Sequence, residues 1–477
     1  MICGIIVINM GNTKEDSRLK SLKTILMDKV PGYNSLVKPI HLARAVMAGV
    51  KYKFPARSMK VIAVTGTNGK TTTCFMIWKM LNECGRKAGL MTTVAWGVKR
   101  LQPELNHMTT MDSMTLNKRI EEIRDQGADY LVLEVTSHAM CQFRTLGIPV
   151  EIAVFTNLTH DHLDYHKTIE KYRAAKCKLF KKAKYGVINA DDGNSKWFMK
   201  ASKDYITYGI KNGKLRARKV KLSPAGVKYA CGDMRIETQI PGEFNVYNSL
   251  AAVAVGQKLG LDDNEIEQGI SALDGVEGRM TKVDEGQDFT VIVDYAHTPD
   301  ALEKAFKALG DANGKIISVH GGAGRRDEST RSERGEILAR YSDYVIITED
   351  DSRDEDPSKI AQQFVKGAEK MGKIEGRDLS VNLDREEAIR EAIGVAKKGD
   401  IVMLLGKGHE KTILRADGPH EFEDIKVARK YLREREQHDK EEHEIAEKAR
   451  KLREQALKRE AERRRREAED VYGNITE

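Results

Sequence analysis

Between residues 59 and 277, short apolar runs alternate with stretches in which apolar positions recur every three or four residues. The runs include Val61 to Val64, Leu131 to Val135 and Ile152 to Phe155, and the clearest helical stretch is Thr72 to Cys84. A strand buried on both faces is apolar throughout, whereas a crossover helix is apolar on one side, so this alternation predicts a parallel sheet covered by helices. Inside it, residues 210–234 alternate Val with Lys between turn formers and predict a small antiparallel insertion. Helical periodicity returns over 245–259 and 263–273.

A second α/β unit is expected from Gly278. Four short apolar strands each run directly into polar or Gly-rich residues: Val291 to Val293, Ile316 to Val319, Tyr344 to Ile347 and Ile401 to Leu405. Ligands of open α/β sheets bind beyond the carboxyl ends of the strands, so four loops should line one edge. Before Met59 the pattern is weaker: one apolar strand-like run, a Lys-rich stretch, and a helix from about Leu36 to Val50 that ends at Phe54-Pro55. The tail from Tyr431 to Asp470 has 13 Lys/Arg, 13 Asp/Glu and no Gly or Pro. Opposite charges four residues apart predict a solvated single helix, and the stripe Ile445, Ala449, Leu452, Ala456 is thin for a coiled-coil partner.

The expected fold class is α/β. A P-loop central domain with a parallel sheet would occupy residues 59–241, with a helical end at 242–277. A Rossmann-like C-terminal domain would occupy 278–430, flanked by a short, atypical N-terminal region (1–58) and a charged helical tail (431–477).

The 477 residues suit about three domains, and 40% hydrophobic residues suffice for their cores. No apolar run approaches the roughly 18 residues of a membrane span, and the opening MICGIIVINM lacks a basic leader region, so the cytoplasm is expected. Six cysteines without a CxxC pair argue against a disulfide framework and a thiolate zinc site. A net charge of +8 suits phosphate-bearing substrates; with 6% aromatics and no basic–aromatic interleaving, nucleic acid is not expected.

The strongest local signal is Gly66-Thr67-Asn68-Gly69-Lys70-Thr71-Thr72 between a strand and a helix. Glycines let backbone amides wrap a phosphate chain, Lys70 can neutralise its terminal oxygens, and Thr71 or Thr72 can offer a hydroxyl to Mg²⁺. The loop is shorter than the usual G-x-x-x-x-G-K-[ST]. A second cluster, His160, Asp161, His162, Asp164 and His166, follows an apolar strand, and Glu134 ends another. By itself the cluster leaves open a divalent-metal site or a solvated loop whose histidines only hydrogen-bond. Oxygen-rich ligation with one imidazole favours Mg²⁺ or Mn²⁺ over zinc.

Together these stretches resemble the Mur ligase family, ATP-dependent amide-forming enzymes of peptidoglycan synthesis, and most closely its MurE type. The resemblance runs from about Met59 to Arg429. It rests on Lys70, Glu134, His162, Asn245 and Asn248 in Gly-Glu-Phe-Asn-Val-Tyr-Asn, Arg279 in Gly-Arg-Met, and Asp294 in Asp-Tyr-Ala-His297. It implies ATP and Mg²⁺ as cofactors. Gly66 to Thr72, Asn245, Asn248, Arg279, Asp294 and His297 would hold ATP, and Thr71, Glu134, His162 and a carbamylated Lys176 would hold the metal. Lys70, Glu134, His162, Lys176 and Arg279 would form the catalytic set.

For the UDP-muramoyl-dipeptide the resemblance implies Thr109, Thr110, Thr136, Gln142 and Arg144. For the incoming amino acid it implies Arg326, Asp350, Asp351, Ser352, Arg353, Gly406 and Glu410. The family tetrad is Asp-Asn-Pro-Arg, from which Asp351 and Ser352 depart. About sixty residues precede the phosphate loop, where family members place a complete uridine-binding domain, so no residue is assigned to uridine.

The expected reaction transfers the ATP γ-phosphoryl to the substrate carboxylate and lets an amine, expected to be that of meso-diaminopimelate, attack the acyl phosphate. A lysine-adding or other Mur-like ligase, or a non-catalytic ATP-binding subunit or scaffold, is the competing expectation. A monomer is expected.

Overall fold

The computed structural model describes residues 37–104, 108–223, 225–310 and 314–473; the strand-like run and Lys-rich stretch expected near the N-terminus lie outside these residues. The first element is helix α1 (Lys38–Lys51), close to the expected span. The central unit then runs β1 (Lys60–Thr65), α2 (Lys70–Glu83), β2 (Ala88–Met91), β3 (Ala95–Gly97), β4 (Gln102–Pro103), α3 (Ser113–Asp125), β5 (Tyr130–Glu134), α4 (Ser137–Cys141), β6 (Val150–Phe155), α5 (Leu163–His166), α6 (Ile169–Lys182) and β7 (Tyr185–Asn189). After α7 (Ser195–Ala201) come β8 (Tyr205–Gly209), β9 (Leu215–Arg216), the antiparallel trio β10 (Arg218–Ser223), β11 (Gly226–Cys231) and β12 (Met234–Thr238), then α8 (Glu243–Lys258) and α9 (Asp263–Ser271).

Nine strands form one sheet in the order β4-β3-β2-β5-β1-β6-β7-β8-β9. Pairings along β2-β5-β1-β6-β7-β8-β9 are parallel, and only the β2–β3 and β3–β4 pairings, at one edge, are antiparallel. The pleat of β1 shows why its sequence is apolar throughout. Ile62 and Val64 enter the core shared with α2, α8 and α9, while Val61 and Ala63 enter the opposite core with α3 and α6. Helix α8 is buried along almost its whole length, which explains its uniformly apolar Leu250 to Val255.

The C-terminal unit runs β13 (Thr281–Val283), β14 (Thr290–Asp294), α10 (Pro299–Lys307), β15 (Ile316–Gly322), α11 (Arg331–Tyr341), β16 (Tyr344–Glu349), α12 (Pro357–Lys370), β17 (Leu379–Val381), α13 (Arg385–Val395), β18 (Ile401–Leu405), β19 (Thr412–Arg415), β20 (Gly418–Glu421) and α14 (Asp424–Gly473). Its six-stranded sheet has the order β13-β14-β18-β15-β16-β17, parallel except for β13. The three-residue β13 and β17 were not anticipated, because so short a run carries no periodicity. The tail helix begins at Asp424 rather than near Tyr431: Ile425, Val427, Ala428, Tyr431 and Leu432 anchor it in the C-terminal core before it leaves the surface. Among the described residues no helix is long and apolar enough to cross a membrane.

Candidate functional site

The loop between β1 and α2 is held from behind by Thr156 and Asn157, just after β6. Asn157 Oδ1 accepts from the Asn68 amide at 2.9 Å, its carbonyl accepts from the Thr67 amide at 2.9 Å, and Thr156 Oγ1 donates to the Asn68 carbonyl at 2.7 Å. Glycine is required where the loop enters the helix. Gly69 has φ +81°, and a Cβ there would lie 2.4 Å from Asn248 Oδ1. The loop thus delivers the amino end of a 14-residue helix to the sheet edge, a natural anion site. Lys70 Nζ, half-buried and donating to the Thr67 carbonyl at 2.7 Å, has its pKa lowered chiefly by desolvation.

Beside the loop, Glu134 Oε2 accepts from Thr71 Oγ1 at 3.0 Å, from the Thr93 amide at 3.1 Å and from Thr93 Oγ1 at 3.2 Å. Arg279 Nη2 reaches across from the C-terminal unit to donate to Thr71 Oγ1 at 3.2 Å. His162, at φ +54°, stands 3.3 Å from Asp161 Oδ2; burial, against the pull of Asp161, lowers its pKa to about 4. Its imidazole is therefore neutral near pH 7 and has a lone pair to offer. Lys176 is wholly buried on α6 and donates to the Gly66 carbonyl at 2.6 Å. Desolvation, with Lys70 nearby, drives its pKa well below the ordinary lysine range, so its amine has access to the uncharged, nucleophilic form.

Two cavities flank the loop. One, of about 210 Å³, lies between the two units: Lys70, Thr71, Glu134, Thr109, Thr136 and His162 face Arg326, Asp350, Asp351, Arg353, Gly406 and Glu410. The other, of about 520 Å³, is lined by Asn68, Gly69, Thr72, Asn245, Asn248, Asp294 and His297. Arg279 lines both. The two asparagines are fixed by each other and by the loop helix: Asn248 Nδ2 donates to Asn245 Oδ1 at 2.8 Å, and Thr73 Oγ1 donates to Asn248 Oδ1 at 3.2 Å. The Asp294 carboxylate accepts from the Met280 and Ala296 amides at 2.7 and 2.8 Å, which shapes the turn carrying Arg279.

Not every expected residue lines a cavity wall. Thr110 is buried, its hydroxyl donating to the Glu134 carbonyl and accepting from the Thr136 amide. Arg144 donates to the Thr110 carbonyl and to Gln142 Oε1, so this pair braces the loop behind Thr109. Ser352 is turned inward onto Glu349 Oε1 at 2.6 Å, and Lys176 sits beneath the loop. Asp351, two residues before Arg353, does not direct its Oδ1 toward that guanidinium. It pairs instead with Lys407, a residue that sequence reasoning passed over.

Lys407 Nζ lies 2.7 Å from Asp351, 2.6 Å from Glu410 and 3.3 Å from Asp350, with no exposed side-chain surface. Burial opposes its charge, yet the carboxylates of Asp350, Glu410 and Asp351 outweigh burial and raise its pKa. Arg353 donates from Nη1 to the Gly324 carbonyl at 3.0 Å. Thr93 was also missed; it lies in the short connection between β2 and β3, outside any recognisable motif. For Lys407 the signal was available, a lysine between two glycines directly after a buried strand.

Comparison with known proteins agrees with this architecture. The Mur ligase middle domain matches residues 64–256 and the Mur ligase glutamate ligase domain matches residues 278–408. A UDP-N-acetylmuramoyl-L-alanyl-D-glutamate--2,6-diaminopimelate ligase of Syntrophomonas wolfei is 41% identical over 403 residues, covering 82% of each chain. A UDP-N-acetylmuramyl-tripeptide synthetase of Roseiflexus is 36% identical over 433 residues, covering 85% of each. A solved structure of a UDP-N-acetylmuramoyl-L-alanyl-D-glutamate--2,6-diaminopimelate ligase superposes with a TM-score of 0.57 at 31% identity, over 82% of this chain and 83% of that one. Folylpolyglutamate synthase of Mycobacterium tuberculosis shares the fold at a TM-score of 0.64 and 16% identity, over 87% and 98%. With both domain types matched in order and a relative 41% identical over 82% of its length, the chain belongs to the Mur ligase family.

Proposed function

We propose that this chain is the ATP-dependent ligase that joins meso-diaminopimelate to UDP-N-acetylmuramoyl-L-Ala-D-Glu, a step of peptidoglycan assembly. The observation that carries the reading is the 210 Å³ cavity, which sets Arg353, Arg326 and Glu410 opposite the phosphate loop. A zwitterionic distal centre needs both a guanidinium and a carboxylate, and this wall supplies them. Diaminopimelate ligases among the relatives support the same substrate.

ATP is assigned to the loop and the adjoining 520 Å³ cavity, with Asn245, Asn248, Asp294 and His297 on the nucleoside side and Lys70 and Arg279 on the phosphate side. The dipeptide's terminal carboxylate takes the γ-phosphoryl and ADP leaves. The amine of the amino acid then attacks the carbonyl carbon, the new C–N bond replaces the C–O bond to phosphate, and the amine gives up a proton. Lys70 and Arg279 hold anionic oxygens together during the transfer, which is where positioning and charge contribute most. Thr109 and Thr136 line the side on which the dipeptide enters; Thr110, Gln142 and Arg144 brace that wall.

The donor set of Thr71 hydroxyl, Glu134 carboxylate and neutral His162 imidazole fits a hard divalent cation, and Mg²⁺ there would neutralise phosphate charge. Lys176 would join it only as a carbamate, since its unmodified amine donates rather than accepts. A lysine-adding ligase is the second reading, motivated by the extra carboxylate Asp351 on the cavity wall; the guanidiniums of Arg353 and Arg326 on the same wall favour a substrate with a distal carboxylate. A non-catalytic scaffold would have no need for Lys70, Arg279 and Glu134 in one cleft.

The deciding experiment measures ADP release by the purified chain with the UDP-muramoyl-dipeptide and either diaminopimelate or lysine. Release that requires both dipeptide and diaminopimelate is expected. Preference for lysine would shift the assignment to the second reading, and no amino-acid dependence would reject ligation.

A further inference from the structure

Beyond Arg435 the helix α14 leaves the globular surface, and every described side chain from residue 436 to 464 is exposed. That stretch extends about 43 Å at 1.5 Å per residue. Exposed apolar side chains on it include Ile445 and Leu452, each 66% exposed. With Ala449 and Ala456 they fall at the 4-3-4 spacing of a helix seam.

The charge along the same stretch is polarised. Residues 434–447 contain seven acidic and two basic residues, whereas 448–466 contain ten basic and three acidic. The apolar stripe straddles the point where the sign changes. A parallel partner of the same sequence would set acid against acid and base against base. An antiparallel one sets each half against its opposite.

We infer that this helix, expected from its thin apolar stripe to stand alone, is instead a dimerisation arm that pairs antiparallel with the same helix of a second copy of the chain, the opposite charge of its two halves supplying what the stripe lacks. The stripe is symmetric in that arrangement. A two-fold axis between Ala449 and Leu452 puts Ile445 opposite the partner's Ala456 and Ala449 opposite the partner's Leu452, a large residue against a small one at each layer. One layer further out, Glu442 meets the partner's Arg459, and Arg463 and Arg464 lie beside the partner's Glu436 and Asp439. Such an interface is isologous and closes on itself. The arm lies outside both cavities, so dimerisation is independent of the ligase reading.

Sedimentation velocity of the full chain tests it. At about 0.01 M salt, where the Debye length is about 30 Å, a species of twice the 53.6 kDa chain mass is expected; at about 1 M, where it is about 3 Å, the monomer should dominate. Replacing Arg463, Arg464, Arg465 and Arg466 by Glu should abolish the dimer while the melting temperature of the body stays unchanged. Orientation is read by cysteine pairing: Glu442→Cys and Arg459→Cys chains should cross-link when mixed and not when each is alone. A monomer at low salt, a dimer that survives charge reversal, or efficient cross-linking of either variant with itself would overturn the inference.

Discussion

Lys407 Nζ sits 2.7 Å from Asp351 Oδ1, inside a ring of three carboxylates that line the inter-unit cavity. Asp351 also accepts from the Leu414 amide at 3.0 Å, so its charge is satisfied on the side away from Arg353. The Arg353 guanidinium, two residues on, donates to the Gly324 carbonyl and lines the same cavity.

Replacing Lys407 by Met should therefore be costly. Removing one partner of a buried pair typically costs about 3–5 kcal/mol, because the remaining charge has nothing to face. The variant is expected to melt well below wild type and to bind the amino acid poorly. Asp351→Asn should be milder, since Lys407 keeps Asp350 and Glu410. Thermal melts of the two variants check this, and equal melting temperatures would remove Lys407 from its proposed place at the centre of the cluster.

Lys70→Ala should abolish nucleotide-dependent turnover while leaving the fold intact. The loop keeps its backbone bonds to Asn157 and Thr156, but the cation beside the helix terminus is gone. Single-turnover ADP formation measures it; near-normal rates would detach the phosphate loop from the chemistry.

Stability should fall on mild acidification. Burial pushes the pKa of His320, fully enclosed at the end of β15, down to about 3. The unfolded chain takes up this proton near pH 6.5 and the native one does not, so the stabilisation is present above pH 6.5 and is lost as pH falls toward 3. Each such group contributes a slope of about 1.4 kcal/mol per pH unit. Between pH 6.5 and 5.5, above most carboxylate titrations, His320→Leu should show a shallower loss of melting temperature than wild type. Parallel curves for the two proteins would contradict the enclosed neutral imidazole.

The sequence carried the β1–α2 phosphate loop and the strand-end positions of Glu134, Asp294 and Asp350, because each follows a continuous apolar run whose end is fixed by the sheet. It carried less where a side chain's direction decides its use. Gln142 and Arg144 lie in the right segment but brace the wall, and Ser352 turns inward to Glu349. Asp351 was legible only as a departure from the family tetrad, because its partner lies 56 residues away on another strand's loop, beyond the reach of any local pattern.

Lys176→Ala should be inactive and partly rescued by added bicarbonate or a small carboxylate. Its amine is buried and held by desolvation toward the neutral form, the form that adds carbon dioxide. The carbamate would supply an oxygen ligand that an ammonium cannot. Mass spectrometry of the intact wild-type chain under gentle, neutral conditions should show the added carbon dioxide; full activity without it would exclude the modification.

The sharpest prediction concerns the amino acid. Diaminopimelate differs from lysine by one distal carboxylate, which a guanidinium binds through two parallel hydrogen bonds. Arg353 is held at φ +55° with its backbone amide donating to the Leu414 carbonyl at 2.8 Å, so its direction is set by the backbone rather than by a side-chain partner. Burial, with Arg326 beside it, works against its charge, and an incoming carboxylate would relieve that cost. Truncating one member of such a pair costs about 2–5 kcal/mol. Arg353→Ala should accordingly raise the KM for diaminopimelate steeply, leave the KM for ATP nearly unchanged, and narrow the preference for diaminopimelate over lysine. Undiminished use of diaminopimelate by the variant would place the distal carboxylate elsewhere in the cavity, with Arg326 as the remaining guanidinium on that wall.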